Sequence, residues 1–239
     1  MTERPGMLAL VGGDEFHSGN EQQDELLRDA AAGRPAYVVA TATRDAPEMA
    51  VRTARRWFES LGLAVEELRL RTPGEARGSA AVEQARGAGL IYLCGGDPGR
   101  VVQVLRGSPA WDAIRDAWRG GCALAGSSAG AMALCRWTLV RRSFPGHTQR
   151  RPLDALGMVP GCALLPHYDT FGERWIPSAQ EELGPDTLLI GVDERSAAVW
   201  SDGSWRALGP GAVTLVRGDE RRRFASGQAI DGLPDPAPE

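Results

Sequence analysis

The sequence predicts an α/β protein, with a mostly parallel sheet sandwiched by helices and antiparallel hairpins near the C-terminus. Three observations carry this expectation. Short apolar runs alternate with amphipathic stretches through the first half of the chain, the rhythm of strand–helix repeats. Several of those runs end in glycine pairs or a glycine–serine string, where a strand gives way to a loop at the sheet edge. From Ser196 to Val216 the pattern changes to short strands, with turns at Ser201-Asp202-Gly203-Ser204 and Gly209-Pro210-Gly211.

The elements follow in order. Met7–Val11 is a buried strand ending at Gly12-Gly13. Asn20 and Gln23 make a capping-box-like helix start, and Gly33 is placed to end that helix. Ala36–Ala40 is the second strand. A helix begins near Asp45 and carries Ala50, Ala54, Trp57, Phe58 and Leu61 at helical spacing. Leu63–Leu70 alternates as a strand, and Glu75–Arg86 is an Ala-rich helix. Leu90–Cys94 is a strand ending at Gly95-Gly96-Asp97, followed by short helices around Val101–Leu105 and Trp111–Trp118. Arg136–Leu156 is polar and reads as a long loop or lid. Ala163-Leu164-Leu165 leads into Pro166-His167-Tyr168, with a helix expected over Phe171–Leu183. Thr187–Val192 is an apolar strand ending at Asp193-Glu194. Residues 1–233 read as a single domain, and 234–239 as a disordered tail.

The totals exclude several functions. A net charge of -4 offers no electrostatic footprint for nucleic acid or anionic membrane. All 27 basic residues are arginine, so no Schiff-base lysine, P-loop lysine or Ser-Lys dyad exists in this sequence. The four cysteines form no C-x-x-C pair and lie in or beside apolar runs, as buried thiols in a reduced compartment do. No signal-peptide pattern or membrane-length apolar run is present, so the expected location is the cytoplasm.

Gly126-Ser127-Ser128-Ala129-Gly130 has the G-x-S-x-G pattern of a nucleophile elbow. There a strand delivers a serine to a strained turn, and a helix leaves with free N–H groups beside the hydroxyl. A Gly/Ser-rich loop would fit the pentad equally well. A serine nucleophile needs a base, and His167 is the histidine at a strand end; His17 lies in a polar loop and His147 in the presumed lid. The base needs an acid to orient it, and Glu194, Asp193, Asp169 and Asp154 are all candidates. The order Ser128, Asp154, His167 matches that of the α/β-hydrolases, although the antiparallel end fits that fold poorly. Gly12-Gly13-Asp14-Glu15-Phe16 spells a diguanylate-cyclase signature. It follows the first strand rather than sitting in a hairpin of a larger domain, and reads as a chance match.

Taken together, Gly95-Gly96-Asp97, Gly126–Ala131, Pro166-His167-Tyr168 and Gly191-Val192-Asp193-Glu194 resemble the serine peptidases that include aspartyl dipeptidase and cyanophycinase. The resemblance spans about residues 7 to 230. It implies a flavodoxin-like, class I glutamine amidotransferase-like fold, with Ser128 as nucleophile and His167 as base. The cyanophycinase-like Gly-x-Asp-Glu pattern points to Glu194 as the acid. The dipeptidase-like pattern can instead use an Asp soon after the elbow, where this chain has Arg141-Arg142-Ser143. The N–H groups of Ala129 and Gly96 would form the oxyanion hole. Pro98 stands where cyanophycinases carry Gln, and Leu165-Pro166 where they carry Asp-Gln; Pro-His-Tyr is closer to the dipeptidases.

The expectation is a peptidase of small peptides that cleaves after an acidic residue. Asp97, Arg141, Arg142 and Arg174 are its candidate substrate contacts, and it uses no cofactor or metal. A homodimer is left open. An esterase using the same serine, and a non-catalytic amidotransferase-like binding domain, are the alternatives.

Overall fold

The computed structural model describes residues 4–142 and 149–237. Thirteen strands form two sheets among the described residues. The first sheet is built from β1 (Leu8–Val11), β2 (Ala36–Val39), β3 (Glu66–Glu67), β4 (Leu90–Leu93) and β5 (Ala123–Ser127), all parallel. The second contains β6 (Cys135–Arg141), β7 (Arg150–Asp154), β8 (Val159–Leu165) and β9 (Leu188–Val192). The hairpin β10 (Ala197–Ser201) and β11 (Ser204–Leu208) returns to the first sheet, antiparallel to β1, giving the order β11-β10-β1-β5-β4-β2-β3. The hairpin β12 (Ala212–Arg217) and β13 (Glu220–Ala225) completes the second, in the order β13-β12-β9-β8-β6-β7.

Strand residues alternate between two apolar layers, as the pleat requires. Leu8, Leu10, Ile91 and Leu93 join the larger core, which also takes the apolar faces of α4 (Pro98–Leu105), α5 (Pro109–Arg119) and α6 (Ala129–Leu134). Ala9, Val11, Leu90 and Tyr92 face the other way. They pack with Leu27 of α1 (Glu21–Ala31) and Ala54 and Phe58 of α2 (Pro47–Ser60). Phe16, Phe58 and Tyr92 meet there with ring centroids 5.0–5.9 Å apart. The first sheet is therefore covered on both faces, and a mixed α/β fold with late antiparallel hairpins is what the sequence led us to expect.

Several local expectations are corrected. The stretch read as a lid contains β6 and β7, paired antiparallel from Trp137–Asp154 to Arg141–Arg150. Its polar residues belong to an edge hairpin, where one face and one edge meet solvent. Ser143, Pro145, Gly146 and His147 lie outside the described residues. The strand expected over Leu63–Leu70 shrinks to Glu66–Glu67. The helix expected over Glu75–Arg86 divides into a 3-10 turn (Glu75–Arg77) and α3 (Ser79–Gly87). The one expected over Phe171–Leu183 becomes a 3-10 turn (Gly172–Trp175) running into α7 (Ile176–Leu183). Asn20 does not cap α1 with its side chain. Its amide donates to the Asp14 and His17 carbonyls and accepts from Gln23, so the pair fastens the preceding loop instead. In the stretch read as a tail, 234–237 are held. Trp205 Nε1 donates to the Pro234 carbonyl, Trp200 Nε1 to Asp235 and Ala237 N to the Met158 carbonyl. Residues 238–239 lie outside the described residues.

Candidate active site

The C-terminal end of β1 is where the site is assembled. Three successive carbonyls there accept backbone N–H groups from distant parts of the chain. Val11 accepts from Ser128 at 2.9 Å, Gly12 from His167 at 2.7 Å and Gly13 from Arg195 at 2.9 Å. One tripeptide thus fixes the backbone of the serine, the histidine and the residue beside Glu194.

Ser128 has φ 47° and ψ −109°, the strained conformation expected of an elbow, between β5 and α6. Small neighbours make the turn feasible. A Cβ on Gly126 would lie 2.6 Å from the Gly130 carbonyl carbon, and one on Gly130 would lie 2.3 Å from the Leu93 oxygen. His167 also has positive φ, 48°. Its Nε2 lies 3.1 Å from Ser128 Oγ and its Nδ1 2.7 Å from Glu194 Oε1. A carboxylate taking the Nδ1 proton leaves Nε2 free to accept the serine proton. Phe171 stacks on the imidazole with centroids 4.8 Å apart, holding the ring plane.

The competing acids are engaged elsewhere. Asp193 is buried and turned to the other side of its strand end, accepting from Ala212 N and Arg223. Burial raises its pKa, with Arg223 opposing. Asp169 accepts from the Glu194 N–H, and Asp154 pairs with Arg106 and Arg136.

Gly96 has φ 137°, and a Cβ there would strike the Ala42 carbonyl at 2.3 Å, so only glycine makes this turn. Ala129 is the first residue of α6, where an N–H has no intrahelical acceptor. Both expected oxyanion donors thus sit just past the ends of neighbouring strands, β4 and β5. Asp97 caps α4 through Gly99 N and Arg100 N and forms an ion pair with Arg44. Arg141 and Arg142 are exposed near the β6–β7 turn, and Arg142 faces Glu181 and Glu182 at 3.6 and 3.7 Å. Arg174 is exposed on its 3-10 turn. His17 lies 3.3 Å from Asp14, exposed.

Glu15 escaped the sequence reading. Its carboxylate accepts from Gly95 N at 2.8 Å and from Ser127 Oγ at 2.9 Å, tying the glycine turn to the residue before Ser128. It belongs to the Gly-Gly-Asp-Glu-Phe string dismissed as a chance match. That string serves this fold: Gly12 and Gly13 supply carbonyls, and Glu15 braces the elbow. A cavity of about 360 Å³ opens beside Glu15, toward Phe16, Thr43, Met49 and Thr53. Among the described residues, no cluster of three His, Cys, Asp or Glu could hold a metal ion, and no helix is long and apolar enough to cross a membrane.

Comparison with known proteins gives this arrangement its class, a serine-type peptidase. Residues 7–208 match the model of peptidase family S51, and the chain belongs to that family. It is 28% identical over 220 residues to a cyanophycinase of Nostoc sp. (strain PCC 7120), covering 89% of this chain and 74% of that protein. A cyanophycinase of Synechococcus elongatus is also 28% identical, over 219 residues, with 88% and 68% covered. The solved structure of a peptidase from an acI-B1 actinobacterium superposes with a TM-score of 0.82 at 26% identity, covering 96% of this chain and 98% of that one.

Proposed function

We propose that the protein hydrolyses small peptides after an acidic, aspartyl residue, through an acyl-enzyme on Ser128. His167 Nε2 takes the serine proton as Oγ attacks the carbonyl carbon. Glu194 holds Nδ1–H and stabilises the imidazolium that forms. The N–H groups of Gly96 and Ala129 receive the negative oxygen of the tetrahedral intermediate. His167 then donates the proton to the leaving amine, and water, activated by the same imidazole, releases the acid. Chemistry of this kind requires no cofactor.

The observation that carries the reading is the unbroken line Ser128 Oγ, His167 Nε2, His167 Nδ1, Glu194 Oε1 at 3.1 and 2.7 Å. The aspartyl preference rests on the family resemblance. The Leu165-Pro166 approach to His167, and a single arginine on the helix after it, favour dipeptides over cyanophycin.

A fluorophosphonate probe should label the wild type and not Ser128→Ala. Asp-X dipeptides should be cleaved in preference to Asn-X dipeptides and short-chain esters. Labelling that survives the substitution removes the nucleophile assignment. Esters cleaved without any peptide would make the protein an esterase.

A further inference from the structure

Among the described residues, Arg150 is the one arginine that is buried, at 9% exposure. No carboxylate of a described residue lies within ion-pair reach of it, and its Nε is buried without a hydrogen-bond partner. Arg71, which is also largely shielded from solvent, is matched by contrast: it lies between Glu48 and Glu67. The position is also unfavourable within its sheet, because Arg150 is paired directly with Arg141 across β6 and β7. Like charges in register repel. A buried cation that no described carboxylate pairs with directly is costly, and a carboxylate brought by a ligand would relieve that cost.

The guanidinium is joined to the site through aromatic contacts. It covers the Trp175 ring at 3.7 Å. Trp175 touches Phe171, with centroids 5.6 Å apart, and Phe171 stacks on His167. Two rings therefore connect the proposed base to the unpaired cation. Asp97, at the end of the Gly95-Gly96 turn, is close enough to stabilise the charge, but both its oxygens are engaged by the α4 cap and Arg44. Burial and Arg141 together push the pKa of Arg150 down to about 10, against the pull of Asp97, so the group is still cationic at neutral pH.

We infer that Arg150 is the specificity-determining residue that receives a carboxylate of the substrate, its planar fork held flat by Trp175. Two N–H groups of a guanidinium match a carboxylate's two oxygens, supplying geometry as well as charge. The carboxylate is either the side chain before the scissile bond or the free C-terminus of the leaving residue. The inference rests on the peptidase reading above. It replaces the exposed Arg141, Arg142 and Arg174 as the principal anion contact.

The test compares wild type, Arg150→Met and Arg150→Lys on four substrates: Asp or Asn before the scissile bond, each with a free or amidated C-terminus. Arg150→Met should lower kcat/KM on the substrate with the recognised carboxylate by about 30-fold or more and leave its neutral counterpart unchanged. Arg150→Lys should fall between. The pair whose discrimination collapses identifies the carboxylate. The rate of fluorophosphonate labelling, which needs no carboxylate, should stay the same. Equal losses on charged and neutral substrates, or discrimination kept in Arg150→Met, overturn the inference. Should the wild type cleave only esters, the same comparison with succinate and succinamate esters decides the role of Arg150 after the peptide reading has failed.

Discussion

Gly13 lies against the imidazole of His167, so close that a Cβ on it would fall 2.3 Å from Cε1 and 2.5 Å from Nε2. Its φ of 131° is also a conformation that side chains avoid. Gly13→Ala should displace the ring from Ser128 and lower kcat by on the order of 100-fold or more, the scale of a lost general base. Gly33→Ala is the control. Its Cβ would meet nothing within 4 Å, so only positive-φ strain remains and kcat should not change. Steady-state kinetics and thermal melts of both variants check this.

Glu194 and Asp193 are neighbours with separate partners. Glu194→Gln should reduce kcat by roughly 10²–10⁴ with little loss of stability, because the amide favours the wrong tautomer of His167. Asp193→Ala should mainly destabilise, by about 1–3 kcal/mol, because it strands the buried Ala212 N–H and frees Arg223. Urea unfolding beside steady-state kinetics separates the two; a larger kcat loss at Asp193 would reverse the assignment.

Glu15 braces the turn that carries Gly96. Glu15→Ala leaves Gly95 N and Ser127 Oγ without their acceptor. We expect kcat to fall by about 10–100-fold with KM less affected, since a loosened oxyanion turn is felt in the transition state. An effect confined to KM would place Glu15 in substrate binding instead.

Asp24 gives a pH signature. It is wholly buried beneath Tyr92 and Trp57, and burial raises its pKa to about 7, against the hydrogen bond from Trp57 Nε1. Between the unfolded value near 3.8 and the folded value, the native state holds a proton that the unfolded chain has released. Stability therefore falls as pH rises through this window, by up to about 1.4 kcal/mol per unit, and levels off above it. Asp24→Asn should remove that part of the slope. Its unfolding free energy relative to wild type should rise between pH 4.5 and 7.5 in urea titrations. A difference that stays constant with pH contradicts the assignment.

What could be read in the sequence was what local pattern encodes. The β4 and β5 runs, the elbow and the β10–β11 turn announce themselves through apolar runs and glycine. His167 and Glu194 stood out as candidates because each ends a strand in a segment with a family pattern. The edges of the second sheet were hidden. Arg150-Arg151-Pro152 and Glu220-Arg221-Arg222-Arg223 are edge strands, and charge and proline at an edge look like loop. Arg150 was passed over because its burial comes from Trp175, far along the chain. Choosing among Glu194, Asp193, Asp169 and Asp154 likewise needed the orientation of side chains at a strand end, which no spacing gives.

The carbonyls of Val11, Gly12 and Gly13 have a consequence for the order in which the protein comes into being. They are synthesised well before the partners they wait for, and β1 gains its second neighbour only when β10 arrives. Such long-range closure is late in folding. The third of these bonds, and the β10 flank of β1, therefore cannot form until the chain has been made past residue 200, whereas the bonds that hold Ser128 and His167 can close before it.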